Sequence, residues 1–314
     1  MGKAKKQLAI VIPAYKDTFF AQTLESIANQ TNHDFTLYIG DDLSPYDLSS
    51  IVAKFKDKID IVYKRFSENV GGKDLVAQWE RCINLTQDEE WIWLFSDDDM
   101  MHPQCVESFY KEIEQTPMHD LYRFDVDTID NTNKVIGTCL APSDVITSRN
   151  LYMLKQKGKM NSFVVEYVFS RKIYSEQGGF QQFDLAWGSD TATWIKFGFD
   201  KGIKVIRDTH VKWRASGQNI TTKQEYSLLN RKLNATIDYM NWLIFFLQSK
   251  GENKIAFIDA HCLKRVLGSA GLLPFRDCYR AFKRYNNSKP KYILSFLLIV
   301  LFPLYLCNYK LHKK

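Results

Sequence analysis

Three consecutive carboxylates, the acidic run Asp97, Asp98 and Asp99, are the strongest chemical signal in the sequence. They follow the apolar run 91–95, which predicts a buried β-strand. Adjacent carboxylates at a strand end repel one another unless a cation neutralises them, and Mg²⁺ or Mn²⁺ takes one or two carboxylates plus phosphate oxygens of a substrate. The run therefore favours a divalent-metal site for a nucleotide diphosphate. The alternative is a helix N-terminus, because Pro103 follows closely.

A second group, the acidic pair Asp41 and Asp42, ends the predicted strand 35–40. Ligands of α/β sheets lie at the carboxyl ends of the strands, so we expect this pair on the same edge of the sheet as the acidic run. Carboxylates there can accept hydrogen bonds from the N–H group of a base or from ribose hydroxyls. The alternative is a turn and helix cap, because Ser44 and Pro45 follow.

The first hundred residues alternate short apolar runs with amphipathic stretches, the order typical of a mostly parallel α/β sheet. Asp17 is the candidate N-cap of a first helix that ends near residue 30. The residues predicted on the buried face of this helix are Phe20, Leu24, Ile27 and Ala28. The predicted strands are 8–13, 35–40, 59–63, 91–95, 121–127, 135–139 and 163–170, and further helices are predicted over 45–55, over 73–85 and from about Ser189.

The strand pattern stops near residue 222, and helical periodicity replaces it. We therefore predict an α/β catalytic domain over residues 1–222 and a helical C-terminal extension over 223–314. The extension also carries the positive charge: residues 250–314 contain 13 Lys and Arg against 3 Asp and Glu, whereas the whole chain has a net charge of +6. The remaining body is acidic, which argues against a nucleic-acid-binding surface across the main domain.

Six cysteines lie far apart, with no Cys-x-x-Cys pair and no zinc-ligand spacing. Free, buried thiols in a reducing compartment are the expected outcome. The basic N-terminus is followed by an apolar run that is too short for a signal peptide. A cytoplasmic location is therefore expected.

The tail contains an apolar segment, residues 292–307, without a charged side chain. A membrane-spanning helix needs about 20 apolar residues, and Pro303 would kink this shorter segment. Upstream, basic residues alternate with apolar ones, a pattern typical of a helix that lies in a membrane interface. We expect the tail to hold the protein at the inner face of a membrane, peripherally or as an anchor. Packing against the catalytic domain, or a dimer contact, is the alternative.

A series of short motifs, in order and spacing, resembles the family 2 glycosyltransferases of the GT-A fold over about residues 7–220. The motifs are Val11-Ile12-Pro13-Ala14-Tyr15, Leu24-x-x-Ile27-x-x-Gln30, Asp41-Asp42-x-Ser44, Asn69-x-Gly71, Ser96-Asp97-Asp98-Asp99, Gly178-Gly179-Phe180 with Gly188-Ser189-Asp190, and Trp213-Arg214-x-Ser216. The resemblance implies a Rossmann-like GT-A domain whose mostly parallel sheet is flanked by helices. It also implies an inverting reaction with a nucleotide-sugar donor.

The resemblance assigns roles to individual residues. Asp98 and Asp99 would hold the divalent cation, Mg²⁺ or Mn²⁺, and Asp190 would be the catalytic base. The implied donor-binding residues are Pro13, Ala14, Tyr15, Asp41, Asp42, Asn69, Gly71, Asp97 and Arg214. A guanidinium such as that of Arg214 suits a diphosphate, with a surface ion pair as the alternative. For Asp190 the alternative is an N-cap of the helix that follows.

Two departures from the family pattern leave alternatives open. Ser96 stands where the family has its first acidic residue, so the metal register between Asp98 and Asp99 is open, and Ser189 replaces the Glu before Asp190. A catalytically inactive scaffold that binds a nucleotide sugar is therefore one alternative. A sugar nucleotidyltransferase is another, although the loop after the first strand lacks the glycines that cradle a triphosphate. The expected reaction is metal-dependent sugar transfer to a hydroxyl of a lipid-linked or other saccharide acceptor in surface polysaccharide synthesis.

Overall fold

The computed structural model describes residues 6–115, 119–217, 224–253, 256–285 and 291–312. The chain divides into two compact units: Met1–Gln181 with Thr193–Gly217, and Gln182–Ala192 with Gln218–Lys314. The predicted boundary near residue 222 falls outside the described residues. The segment Gln182–Ala192, which the sequence pattern placed in the catalytic domain, belongs to the second unit.

A ten-stranded mixed sheet runs through the first unit. Its strands are β1 (Leu8–Ala14), β2 (Phe35–Asp41), β3 (Ile61–Arg65), β4 (Trp91–Leu94), β5 (Met100–Met101), β6 (Leu121–Ile129), β7 (Val135–Cys139), β8 (Val145–Ile146), β9 (Tyr167–Ser170) and β10 (Ile203–Arg214). The order across the sheet is β3-β2-β1-β4-β9-β6-β10-β5, with β7 beside β6 and β8 beside β10.

Helices cover the sheet of the first unit and bury their apolar faces against it. They are α1 (Phe20–Ala28), α2 (Leu48–Ala53), α3 (Leu75–Ile83), α4 (Cys105–Gln115), α5 (Ser148–Gln156) and α6 (Arg171–Glu176), and the boundary between the units falls inside α7 (Ser189–Phe197). The predicted face of α1 is confirmed, because Phe20, Leu24 and Ile27 are fully buried and Ala28 nearly so. Its apolar side chains join the core formed with β1, β2 and β4.

The predicted N-cap of α1 is wrong. Asp17 does not cap α1, because the helix begins at Phe20 and Phe19 occupies the N-cap position without a side-chain hydrogen bond. Asp47 and Asp74 do act as caps: their carboxylates accept hydrogen bonds from backbone N–H groups in the first turns of α2 and α3.

The prediction of a mostly parallel sheet is wrong for half of the sheet. Strands β3, β2, β1 and β4 pair in parallel, as do β6 and β10, whereas β9 is antiparallel to both β4 and β6, and β5, β7 and β8 are antiparallel to their partners. The connection from β6 to β7 is a tight turn in which Asp130 Oδ1 accepts hydrogen bonds from Thr132 N (2.8 Å) and Lys134 N (3.1 Å). A connection this short permits only antiparallel pairing.

The strand β10 has no counterpart in the sequence-based prediction. Its charged residues interrupt the apolar alternation that marks a strand. Its register with β6 also shifts between Ile206 and His210, where Asp208 adopts a left-handed φ of 66°. Beyond this irregularity the strand continues to Arg214, one of the predicted site residues.

The second unit is helical, as the periodicity predicted. Its described residues form the 3₁₀ turn Asp184–Ala186 and the helices α8 (Tyr226–Ser249), α9 (Ala256–Gly268), α10 (Phe275–Lys283) and α11 (Lys291–His312). The hydroxyl of Tyr285 donates a 2.6 Å hydrogen bond to Asp259 of α9. Within the part of the chain that the structure describes, no helix combines the length and the hydrophobicity that crossing a membrane requires.

Candidate active site

Three strand ends meet at one edge of the sheet and carry both acidic groups. Strand β1 pairs in parallel with β2 and β4, and Ala14 lies opposite Asp41. The loop after β4 carries Asp97, Asp98 and Asp99, and each of them is at most 7% exposed. The structure therefore brings the acidic run and the acidic pair to the same edge, where the strand order placed them.

The loop after β1 holds Asp97. Its Oδ2 atom accepts hydrogen bonds from the backbone N–H groups of Tyr15 (2.8 Å) and Lys16 (2.7 Å). Burial raises the pKa of the Asp97 carboxyl, although the nearby ammonium of Lys16 opposes this shift. Two backbone N–H groups thus orient this carboxylate. Its contact with a nucleotide-sugar donor stays a prediction.

Asp98 pairs with an ammonium that the sequence pattern did not reveal. Lys16 Nζ lies 2.5 Å from Asp98 Oδ2 and 3.3 Å from Asp97 Oδ1. Burial alone would lower the pKa of Lys16, but the attraction of both carboxylates outweighs burial and the pKa is raised. In the sequence, only the position of Lys16, directly after the first-strand motif, indicates that it could belong to the site.

Asp99 is held from two sides. Its Oδ1 atom accepts a hydrogen bond from Arg214 N (2.6 Å), and its Oδ2 atom accepts one from Ser96 Oγ (2.5 Å). Burial and the charge of Asp98 raise the pKa of the Asp99 carboxyl well above its ordinary value. Ser96 Oγ also lies 3.2 Å from Asp98 Oδ1. The residue that departs from the family pattern is therefore a hydroxyl that links two of the carboxylates.

Arg214 is fully buried beside the acidic run. Its guanidinium donates to the carbonyls of Asp98 (2.8 Å) and Asp130 (2.9 Å) and to Gln22 Oε1 (3.3 Å), and it lies 4.1 Å from the centre of the Phe19 ring. Burial lowers the pKa of Arg214, although the neighbouring carboxylates oppose the shift. The alternative of a surface ion pair is wrong for this buried side chain. A contact with a diphosphate stays a prediction, and it would compete with these hydrogen bonds.

Asp41 ties together the loops at the ends of β2 and β3. Its Oδ1 atom accepts a hydrogen bond from Ser44 N (2.7 Å), which is the turn considered as the alternative for the acidic pair. Its Oδ2 atom accepts from Tyr63 Oη (2.5 Å) and Arg65 Nη1 (2.8 Å). The carboxylate is therefore fully buried among protein donors.

Asp42 lies beside Asn69 and Gly71, two other residues that are predicted to bind the nucleotide-sugar donor. Its carboxylate accepts hydrogen bonds from Val70 N (2.8 Å), from Gly71 N (2.9 Å) and from the guanidinium of Arg81. Asn69 Nδ2 donates to the carbonyl of Asp42 (3.1 Å). A side chain at Gly71 would force the Asp42 carboxylate to shift, because a Cβ atom there would lie 2.6 Å from Asp42 Oδ2.

The first-strand motif presents an exposed ring at this edge. Tyr15 is 42% exposed, Pro13 is partly buried and Ala14 is buried. Ser44 Oγ donates a 2.6 Å hydrogen bond to the carbonyl of Tyr15, which joins the loops that follow β1 and β2. An exposed aromatic ring beside buried carboxylates offers a stacking surface and hydrogen-bond acceptors to a nucleotide base.

Asp190 lies in the second unit, in the first turn of α7. The helix begins at Ser189, so Asp190 is inside the helix rather than at the capping position that was its alternative. Its side chain is partly exposed and accepts a 3.3 Å hydrogen bond from Thr191 Oγ1. Leu185 and Ala186, shortly before it, both adopt left-handed φ angles of 60° and 52°. Strain of this kind in residues other than glycine clusters at functional sites.

The chemistry of the acidic run fits a hard divalent cation. All its donor atoms are carboxylate oxygens, and burial together with mutual repulsion raises the pKa of Asp99, so a nearby positive charge would relieve the site. In the described parts of the chain, no three His, Cys, Asp or Glu side chains are grouped so as to hold a metal ion as they stand. The ammonium of Lys16 lies against Asp98, whereas Asp99 accepts from a backbone N–H group. Asp98 is therefore the better candidate for the first ligand.

A sequence model of Glycosyl transferase family 2 matches residues 9–174, which is more than half of the chain. The matched region contains the first-strand motif, the acidic pair and the acidic run. Asp190 and Arg214 lie beyond it. No curated protein matches the sequence significantly.

Solved structures of similar fold include TarS, a mannosyltransferase and GalNAc-T7. Residues 1–349 of S. aureus TarS, in complex with UDP, align with a TM-score of 0.62 and 12% identity, over 98% of this chain and 92% of that chain. The mannosyltransferase PcManGT from Pyrobaculum calidifontis, in complex with GDP-Man and Mn²⁺, aligns with a TM-score of 0.51 and 12% identity, over 96% and 83%. GalNAc-T7 with UDP, GalNAc and Mn²⁺ aligns with a TM-score of 0.52 and 10% identity, over 77% and 50%. At these identities the likeness shows a GT-A-like fold.

The burial of Arg214 predicts a loss of stability on conservative substitution. Arg214→Lys should lower the free energy of unfolding by about 2–4 kcal/mol, because lysine cannot reproduce the forked contacts and each buried carbonyl that loses its donor costs about 1–3 kcal/mol. Urea unfolding followed by tryptophan fluorescence measures the change. The control is Arg276→Lys, at a side chain that is 77% exposed, with an expected effect below about 0.5 kcal/mol. Wild-type stability with weaker nucleotide binding in Arg214→Lys would support the diphosphate contact instead.

Proposed function

The chain belongs to glycosyl transferase family 2, and we propose that it moves a sugar from a nucleotide-diphosphate donor to an acceptor hydroxyl, with inversion and with a divalent cation. The observation that carries the proposal is the buried acidic run at the carboxyl edge of the sheet, where burial raises the pKa values of Asp97 and Asp99. Such a site favours a cation that arrives with an anionic substrate. UDP and GDP-Man in structures of similar fold support this class of donor.

The donor lies in the first unit in this proposal. Pro13, Ala14 and Tyr15 contact the base and ribose, with the exposed Tyr15 ring as the stacking surface. Asp42 accepts a hydrogen bond from the base through its Oδ2 atom, because a carboxylate oxygen has two lone pairs and the protein gives Oδ2 one hydrogen bond, from Gly71 N. The Asn69–Gly71 loop keeps Asp42 in this orientation before the donor arrives.

The acidic run would hold the cation that binds the diphosphate. Asp98 would be the first ligand of this cation, next to Asp99, which Ser96 and Arg214 hold in place. When bound, the cation offsets the negative charge that develops on the leaving diphosphate. The residues of this loop are oriented by hydrogen bonds in advance, so little reorganisation accompanies the reaction.

Asp190 is the general base in this proposal. Its carboxylate accepts the proton of the acceptor hydroxyl while the hydroxyl oxygen bonds to the anomeric carbon and the bond from that carbon to the diphosphate breaks. A single displacement of this kind inverts the anomeric configuration. The left-handed backbone of Leu185 and Ala186 supports a functional role for the segment before Asp190.

We place the acceptor at a membrane, as a lipid-linked saccharide, because one face of α11 is apolar and exposed. Its exposed side chains are Ile299 (52%), Val300 (47%), Leu304 (62%) and Tyr305 (43%). In the same unit, the α10 side chains of Arg276 and Arg280 are 77% and 69% exposed. Apolar side chains combined with exposed arginines suit the surface of an anionic leaflet, where each basic residue adds about 1 kcal/mol.

The acidic run predicts metal-dependent release of a nucleotide diphosphate. Purified protein, incubated with Mn²⁺, an acceptor extract and a panel of UDP- and GDP-sugars, should release UDP or GDP from at least one donor. Asp98→Asn should slow release by more than about 100-fold, since even changes beside metal ligands cost about 10–100-fold. Asp57→Asn, which removes the same charge from an exposed residue, should match the wild type. Metal-dependent nucleotide binding without any product would identify an inactive binding scaffold.

The role of Asp190 predicts a defect in turnover alone. Asp190→Asn should lower kcat by about 10²- to 10⁴-fold, the usual contribution of a positioned general base, while Kd for the donor stays unchanged. Calorimetry gives the donor affinity, and nucleotide release at saturating acceptor gives kcat. The control is Asp200→Asn, at an exposed position just after α7. A kcat equal to that of the wild type in Asp190→Asn would exclude this residue as the base.

The apolar face of α11 predicts binding to anionic vesicles. The double variant Ile299→Glu, Leu304→Glu should lose at least about tenfold in vesicle affinity, because each of these side chains contributes on the order of 1–2 kcal/mol when it leaves water. Sedimentation with phosphatidylglycerol vesicles measures the affinity. Phe245→Glu is the control, because Phe245 is an apolar side chain of α8 that is 73% exposed. Equal binding of the double variant and the wild type would contradict the placement of α11 at the membrane.

A further inference from the structure

Lys16 supplies the ammonium that contacts the acidic run. Its Nζ atom lies 2.5 Å from Asp98 Oδ2 and 3.3 Å from Asp97 Oδ1, and the side chain is 30% exposed. The other donors that the structure gives to the three carboxylates are backbone N–H groups and the hydroxyl of Ser96. Those donors orient the carboxylates without neutralising their charge. Lys16 therefore stands where the chemistry of the site calls for a cation.

Lys16 and a divalent cation compete for the same oxygens. Asp97 Oδ2 and both oxygens of Asp99 already accept from backbone or hydroxyl donors. The oxygens that Lys16 covers, on Asp98 and Asp97, are those that become available when the ammonium leaves. Two cations cannot share them, because like charges at contact distance repel strongly.

The backbone of Lys16 is fixed although its side chain can move. The Lys16 N–H group donates a 2.7 Å hydrogen bond to Asp97, so the residue stays at the edge of the site when its ammonium swings away. A lysine side chain has four flexible carbons and carries a point charge that pairs readily with phosphate. A diphosphate bound beside the acidic run would arrive within reach of this ammonium.

We propose that Lys16 is a built-in counter-ion that exchanges with the divalent cation at Asp98 and then pairs with the diphosphate of the donor. The inference rests on the proposed function. Without a donor, the ammonium offsets the charge of the acidic run. A cation alone must displace Lys16 at a cost, whereas a cation that arrives with a diphosphate provides the ammonium with a new partner. Lys16 thus couples the binding of the cation to the binding of the donor.

Calorimetric titration with Mn²⁺ alone, and with UDP and GDP at saturating Mn²⁺, tests this exchange. Lys16→Met should bind Mn²⁺ at least about fivefold more tightly than the wild type, because a competing unit charge at contact distance is removed. The same variant should bind the nucleotide at least about fivefold more weakly. Lys16→Arg keeps the charge and should lie near the wild type in both titrations. Lys56→Met, at an exposed lysine, controls for net charge. Equal or weaker Mn²⁺ affinity in Lys16→Met would overturn the exchange, and unchanged nucleotide affinity would overturn the pairing with diphosphate.

A measurement on the wild type keeps the test independent of the folding of the variants. Competitive acetylation followed by mass spectrometry reports how accessible each lysine amine is. Saturating Mn²⁺ should increase the acetylation rate of Lys16 relative to Lys56, because the ammonium leaves the carboxylates, and added nucleotide should reduce the rate again. A Lys16 rate that does not respond to Mn²⁺ would overturn the exchange.

The two failures are distinguishable. If no nucleotide sugar is consumed but Lys16→Met binds Mn²⁺ more tightly, the exchange with the cation is supported and the proposed function is contradicted. If sugar transfer is observed and the Mn²⁺ affinities are equal, the proposed function stands and the role of Lys16 falls.

Discussion

The burial of three adjacent carboxylates is the constraint that the rest of the first unit satisfies. Taking these charges out of water costs free energy, and the raised pKa values of Asp97 and Asp99 mean that the protein offsets only part of that cost. The hydrogen-bond donors to these carboxylates come from distant parts of the chain, since the loop after β1 holds Asp97 and the end of β10 holds Asp99. The strand β10 therefore has to end beside the acidic run, and its pairing with β5 and β6 brings it there.

The two carboxylates of the acidic pair are also buried and also accept hydrogen bonds from protein groups. Asp41 and Asp42 are buried because the end of β3 and the loop between β3 and α3 provide hydrogen-bond donors to them. Each carboxylate thus has a structural use before any ligand arrives, and the loops that surround the site are oriented by the same contacts. A site oriented in this way loses little conformational freedom when a donor binds. The residual negative charge of the acidic run is what remains for a cation to neutralise.

Local patterns in the sequence predict most of the strands. The strands β1 to β4, β6 and β7 and the buried face of α1 agree with the prediction because their periodicity is set by neighbours along the chain. The reversal of β9 and the strand β10 were missed, since charged residues and a left-handed Asp208 interrupt the alternation of β10. The burial of Arg214 and the pairing of Lys16 with Asp98 depend on contacts 116 and 82 positions apart. No local pattern specifies such contacts.

The composition of the tail does not by itself tell which of its apolar side chains are exposed. Composition marks residues 292–307 as apolar, but only packing determines which of these side chains reach the outside. Leu298 and Phe302 are buried, and the centre of the Phe302 ring lies 5.0 Å from the centre of the Phe275 ring of α10. Ile299 and Leu304 are more than half exposed. A helix that packs part of its surface against its own unit and leaves apolar side chains exposed can lie along an apolar surface, and the same unit carries the exposed arginines of α10. This exposure, and not the hydrophobicity of the segment alone, is the physical basis for proposing an acceptor at a membrane.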